Sequence, residues 1–313
     1  MERGIPADAV DGFAEQLRFS IWASAGGDGE LVGRSGGLPR LPVGMDWPST
    51  TACRSADAPP MPLPFIASFD CAALPRIGGF DLPAEGSLLF FLDHEADFDD
   101  CDCSDEEQPF ARVLYVPAGT DTTPPDGPPE ETLAYEEPFL RPEQDLFATV
   151  RPVVPPWLTC DEESMGYVSA IQEWISPLTH TDELVAVVEE LWPSPGSDTG
   201  FCRVGYPTSL GSVDTPDFLI GGYSLELDSG VTPEYHIAAD DVTARQESGE
   251  LDVTPAERDQ LVATENPRII REWVPLAQFA TSHDLYYGCF MIRWDDLAAG
   301  RFDRALSFTM FSG

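Results

Sequence analysis

The chain has 313 residues, 55 of them acidic and 17 basic, for a formal net charge of −38, and 42% of its residues are hydrophobic. A surface this acidic repels nucleic acid and anionic lipid and favours cationic partners, while the apolar share is enough for a core without disulfide staples. All 17 basic residues are arginine; the lack of lysine excludes P-loop phosphate binding, Schiff-base chemistry, the kinase strand lysine and Ser-Lys dyads. Two origins fit the acidity: the general composition of the host's proteins, or selection for a cationic partner.

The first residues, MERGIPADAVDGFAEQL, contain no apolar core of a signal peptide, and the run LLFFL (Leu88 to Leu92) is far too short to cross a bilayer. A soluble cytoplasmic protein is expected. Seven scattered cysteines, an odd count, fit reduced thiols better than a disulfide framework.

In chain order, Val10, Phe13, Ala14 and Leu17 have the spacing of one helical face, predicting a helix from Pro6 to about Arg18. A strand, RFSIWASA, follows, then the turn GGDGE. From Ser35 to Pro48, SGGLPRLPVGMDWP, paired glycines and three prolines predict a stiff corner leading into buried strands. PLPFIASFD, GSLLFFLD and ARVLYVPAG read as those strands. Between the last two, DHEADFDDCDCSDEE holds nine acids in fifteen residues and is expected outside the core. Residues 121–131, DTTPPDGPPEE, form the best linker, dividing one unit of 1–313 into halves 1–120 and 132–313.

Beyond the linker the pattern turns helical. Val168, Ile171, Trp174 and Ile175 make one face, and Leu184, Val187, Val188 and Leu191 another, with Thr179 or Asp182 as the cap of the second helix. FLIGGYSLELDSG returns to strand, Thr254-Pro255-Ala256-Glu257 starts a short helix as a capping box, and the end reads strand, turn, strand, short helix closed by Gly300, strand. Two pieces of that end echo the first half. Pro275-Leu276, Phe279 and Ala280 fall over Pro62-Leu63, Ile66 and Ala67, and GCFMIRWD falls over GSLLFFLD, at different offsets.

Reactive constellations are few. Cys101-Asp102-Cys103 with His94 lacks a second ligand pair for zinc, and the acids from Asp93 to Asp100 lack the glycine and glutamate of a calcium loop. Neither a metal nor a cofactor is expected. The four histidines are dispersed, with no HExxH and no GxSxG elbow, so no catalytic residue is assigned. His283 beside Asp284, between two predicted strands, is the histidine best placed for a cleft. Arg40, Trp47, Asp70, His283, Asp284 and Arg293 are the binding candidates.

The run Gly36-Gly37-x-Pro39-x-Leu41-Pro42-x-Gly44-x-x-Trp47-Pro48 resembles the signature of the YwqG-like family of bacterial proteins, as does Leu82-Pro83-x-x-Gly86-x-Leu88-x-Phe90-Phe91. Gly222-Tyr223, Leu276-x-Gln278 and Asp296-Leu297 followed by Phe302 look like the rest of it, so the resemblance covers about Gly36 to Phe308. It implies an α+β, strand-rich fold of antiparallel sheets with a few short helices and related halves. Ala277, Phe279 and Tyr287 depart from the family's second-half pattern, which weakens any ligand site carried over there. Related domains have been proposed as immunity proteins against secreted toxins, so the expected function is a non-catalytic protein whose acidic surface meets a basic, toxin-like protein. The alternative is an enzyme with a carboxylate, arginine and histidine site in a cleft between the halves.

Overall fold

A computed structural model describes residues 4–27, 29–50, 60–99, 110–129, 139–155, 178–193, 216–224, 232–280 and 286–311. The fold is α+β and strand-rich, built on one ten-stranded sheet in which every neighbouring pair is antiparallel. Its strands are β1 (Arg18–Ala25), β2 (Glu30–Ser35), β4 (Phe65–Asp70), β5 (Ser87–Leu92), β6 (Ala111–Val116), β8 (Gln144–Val153), β9 (Phe218–Gly221), β10 (Trp273–Ala280), β11 (Tyr286–Arg293) and β12 (Leu306–Phe311). Two short strands, β3 (Leu41–Pro42) and β7 (Thr122–Thr123), pair separately. The first part of the segment read as a linker is thereby tied to the Pro-rich corner.

The order across the sheet is β12-β11-β10-β9-β1-β8-β2-β4-β5-β6. From either end inward the same series runs, β6-β5-β4-β2 on one side and β12-β11-β10-β9 on the other. The two central strands are exchanged: β1 of the first copy lies against β9 of the second, and β8 of the second against β2 of the first. Local detail repeats with the topology. Phe65 faces Phe91 and Ala67 faces Phe90, so Ile66 is the extra residue of a bulge; Pro275 faces Met291 and Ala277 faces Phe290, so Leu276 is its counterpart. Both second strands run into a short helix, α2 (His94–Asp99) and α6 (Trp294–Ala298).

This register corrects the alignment drawn from the sequence. The bulges place Ala277 over Ala67 and Phe290 over Phe90, three residues from the first proposed match and two from the second. A three-residue slip exchanges the two faces of a strand, and hydrophobic type cannot reveal it where both faces are buried, as in β10.

The sheet curls until the second strand from each end meets the other, with Phe90 and Phe290 rings 5.3 Å apart and Phe279 near Phe290. Ile21, Phe69, Leu92, Leu146 and Ile220 join them in the main core. The outer face of β4–β6 is covered by the corner, with Leu41, Leu63 and Trp47 against Phe65 and Phe91. The outer face of β9–β11 is covered by a hairpin of α4 (Pro233–Glu247) and α5 (Pro255–Glu272), through Ile237, Val242, Val262 and Ile269. α1 (Ala7–Ala14) packs on α3 (Thr181–Leu191) through Phe13, Leu184, Val185 and Val188.

Several expectations meet the structure unevenly. RFSIWASA is β1 as predicted. The Thr254 capping box is formed, but it opens an 18-residue helix rather than a short one. α3 starts at His180, which sits in the left-handed region (φ 62°) without a side-chain cap, so neither Thr179 nor Asp182 plays that part. The acidic stretch after β5 is not wholly outside the core: Ala96 is buried and Asp97 turns inward. The helix predicted around Val168 and the Cys101-Asp102-Cys103 loop lie outside the described residues.

Candidate functional site

The two glycine pairs of the sequence signature are the same element in the two copies. With Phe279 over Phe69, strand pairing puts Phe218 over Gly33 and hence Gly221-Gly222 over Gly36-Gly37. All four are left-handed, at φ 73°, 83°, 64° and 66°, a region that L side chains enter at a cost. At Gly36 a Cβ would lie 2.3 Å from the Pro142 carbonyl oxygen. Each pair throws the chain out of the sheet into the segment that covers its outer face. In the first copy that segment is the apolar corner. In the second it is a polar centre.

That centre starts from Arg18, the first residue of β1. Its guanidinium donates to the Gly222 carbonyl (3.2 Å) and the Ile270 carbonyl (2.8 Å), and lies 4.3 Å from the centre of the Tyr223 ring. One cation thus fastens the glycine turn to the end of α5, with a cation–π contact beneath it. The Tyr223 hydroxyl donates to Gln16 O at 2.7 Å, and Gln278 Nε2 donates to Tyr223 O at 3.1 Å. Gly222, Tyr223 and Gln278, three residues of the second part of the family signature, therefore converge.

Ser224 Oγ donates to Glu234 Oε1 at 2.8 Å and lies 3.4 Å from Met291 Sδ. Glu234 is only 2% exposed. Burial pushes its carboxyl above the usual range, opposed by the Ser224 hydrogen bond and, more weakly, by the charge of Arg18. Burial likewise raises the Tyr223 hydroxyl and lowers the His236 imidazole on α4. The Cys289 thiol on β11 is raised well above its ordinary value, so it is held as a thiol rather than a nucleophilic thiolate. The arrangement can bind and orient polar groups; it shows no activated nucleophile among the described residues. Nor do those residues include three or more His, Cys, Asp or Glu grouped to hold a metal ion.

Residues singled out from the sequence lie apart. Arg40 is exposed and donates to Thr122 O at 3.1 Å. Trp47 is half-buried, donates to Leu63 O at 2.9 Å and packs edge-on to Phe91. Pro39 and Leu41 are buried beneath the corner, whereas Gly44, left-handed at φ 84°, is exposed. Pro42 pairs with Thr122, and Pro48 accepts from the Leu63 N–H. Asp70 is exposed and accepts from the Ala72 N–H at 2.8 Å, holding the turn after β4. Arg293 donates to Glu272 at 3.2 Å over the Trp273 ring, at the base of the helix hairpin. His283 and Asp284 lie outside the described residues.

Arg18, Ser224, Glu234 and Asn266 were not among the sequence candidates. A signal for α4 was present: Thr232-Pro233 repeats the Thr254-Pro255 start of α5, and Glu234 stands three residues before Ile237 on the buried face. No helix among the described residues is long and apolar enough to cross a membrane. A family model described as a domain of unknown function, DUF1963, matches residues 33–309. No curated protein matches the chain.

Proposed function

The chain belongs to the DUF1963 family, and on that footing we propose that it is a non-catalytic binding protein whose acidic surface receives a basic protein partner. In this reading it is a single YwqG-like unit acting in the cytoplasm, in an immunity-type role against a cationic toxin.

The observation that carries the reading is the α1–α3 pair. Asp8, Asp11, Glu15, Asp182 and Glu189 are exposed there, and neither helix contains a basic residue. Val10, Leu191 and Trp192 are large apolar side chains exposed on the same two elements, with Trp192 directly after α3. Acids around exposed aliphatic and indole groups suit a cationic amphipathic surface, with charge steering the encounter and the apolar groups holding it.

Three of the arginines are engaged within the protein, one of them at the end of α3. Arg76 donates to the carbonyls of Cys71, Leu82, Pro83 and Ala84. Arg268 joins Asp241, Glu265 and Glu272, and Arg151 donates to Pro193 O over the Trp22 ring. The negative charge is thus left largely to face outward.

The test is affinity capture from the native host at about 50 and 500 mM salt, where screening lengths differ severalfold, repeated with Asp8, Asp11, Asp182 and Glu189 changed to their amides. The expected result is a basic protein retained at low salt, released at high salt and lost by the amide variant. Recovery of no partner, or of one indifferent to salt and to the amides, overturns the reading.

A further inference from the structure

Five buried polar atoms of the α4–α5 hairpin and its immediate ends make no hydrogen bond within the protein: Thr232 Oγ1, Glu234 Oε2, Asn266 Oδ1, Asn266 Nδ2 and Trp273 Nε1. Glu234, Asn266 and Trp273 are 2%, 1% and 4% exposed. Leaving such groups unpaired costs about 1–3 kcal/mol each, so their concentration beneath one helix pair calls for a partner.

Their placement follows from the helix geometry. Thr232 and Glu234 stand at the start of α4, whose next inward residues are Ile237 and Ala238. Asn266 is buried on α5, which packs through Ile269 on β9–β11, and Trp273 follows α5 directly as the first residue of β10 and joins the same cluster. Arg18 brings the end of α5 next to this start, since it bonds Ile270 O and its charge reaches Glu234. The contrast between the two helix starts is informative. Thr254 caps α5 by accepting from the Glu257 N–H, while Thr232, at the same position of α4, makes no cap hydrogen bond. The Thr232 hydroxyl is near enough to pull the Glu234 carboxyl downward, though the two do not meet the geometry of a hydrogen bond.

The chemistry of the unpaired atoms narrows the ligand. Glu234 Oε2 and Asn266 Oδ1 accept, whereas Asn266 Nδ2 and Trp273 Nε1 donate. A metal ion would face two N–H donors, and a phosphate would face two acceptor oxygens. A molecule with an N–H-rich cationic end and an oxygen-rich anionic end satisfies both sets. We propose that the α4–α5 hairpin binds a free α-amino acid against β9–β11, with its ammonium on Glu234 and Asn266 Oδ1 and its carboxylate on Asn266 Nδ2 and Trp273 Nε1. An ammonium at Glu234 supplies the countercharge that burial withholds from it. This site is separate from the acidic α1–α3 surface, so failure to find a basic partner leaves it untouched.

The experiment is a thermal-unfolding screen of the full chain with each of the twenty amino acids, with acetate and methylamine as controls that carry one end only. At about a hundredfold excess over Kd the bound amino acid raises Tm by about 2–8 °C, neither control does, and Glu234→Gln and Asn266→Leu abolish the shift. A crystal structure grown with the active amino acid shows it on these side chains. If either variant fails to fold, the wild-type screen and that crystal structure still decide. No shift with any amino acid, a shift undiminished in folded Asn266→Leu, or density for ordered water alone on Glu234, Asn266 and Trp273 overturns the proposal.

Discussion

After β2 the chain turns on Gly36 and Gly37, and after β9 on Gly221 and Gly222, all four left-handed, yet the segments that follow finish the sheet differently. One is a Pro-rich corner packed by Leu41, Trp47 and Leu63; the other is a helical hairpin enclosing Glu234 and Asn266. A second divergence lies at the two seams. In the first, Asp97 of α2 accepts from Ser307 Oγ (2.5 Å) and Thr309 Oγ1 (2.7 Å) of β12. The register that puts Phe290 over Phe90 puts Leu297 over Asp97, and strand pairing puts Ser307 and Thr309 over Val113 and Tyr115. In the second seam, Leu297, Val113, Tyr115 and Phe302 belong to one apolar cluster. A repeated backbone frame therefore tolerates either a polar or an apolar closure. Each is self-consistent, because a carboxylate needs hydroxyl donors and a leucine needs apolar neighbours.

Mixing the two seams gives the largest expected effect. Leu297→Asp puts an unpartnered carboxylate into the apolar seam and removes a buried side chain, which costs about 4 kcal/mol or more by urea denaturation. Asp97→Leu leaves two hydroxyls without their acceptor and costs about 1–3 kcal/mol. Equal costs for the two changes would show that the seams do not differ as described.

Next come the glycine pairs. Gly36→Ala places its Cβ against the Pro142 carbonyl oxygen in a left-handed conformation, for about 3 kcal/mol. At Gly221 the nearest atoms to a Cβ are 3.5 Å away, so Gly221→Ala costs only the backbone conformation, about 1–2 kcal/mol. Comparison of their denaturation midpoints measures how much tighter the first turn is packed.

The smallest effect sharpens the polar seam. Burial raises the Asp97 carboxyl from 3.8 to about 6, against the pull of Ser307 and Thr309. A folded value above the unfolded one contributes stability that is complete below about pH 4 and lost as pH rises through 6. Asp97→Asn has no such dependence, so Tm of the wild type minus Tm of this variant falls by a few degrees between pH 4 and 7. A difference that stays constant with pH would place the Asp97 carboxyl in water.

Much of the frame was legible in the residues. RFSIWASA and GSLLFFLD are short apolar runs between breakers, and they form β1 and β5 as such runs should. The Gly36 corner announced itself through residues with restricted or unusual backbone angles. The candidate site was much less legible. Glu234 and Asp97 look like any other of the chain's 55 acids, because a carboxylate's letter is the same whether it faces water or Ser224. α4 escaped notice because only Ile237, Ala238 and Val242 fill its buried stripe, though its Thr-Pro start was there to be matched with that of α5.

Local backbone preference and apolar spacing act over a few residues, and they set most strands, the glycine turns, the α5 start and the excess of negative charge. The exchange of β1 and β8 at the centre of the sheet, the meeting of Phe90 with Phe290, and the burial of Glu234 beside Arg18 join residues far apart in the chain. Which of many similar strands become neighbours is settled by the packing of the whole sheet, and with it which acids lose their water.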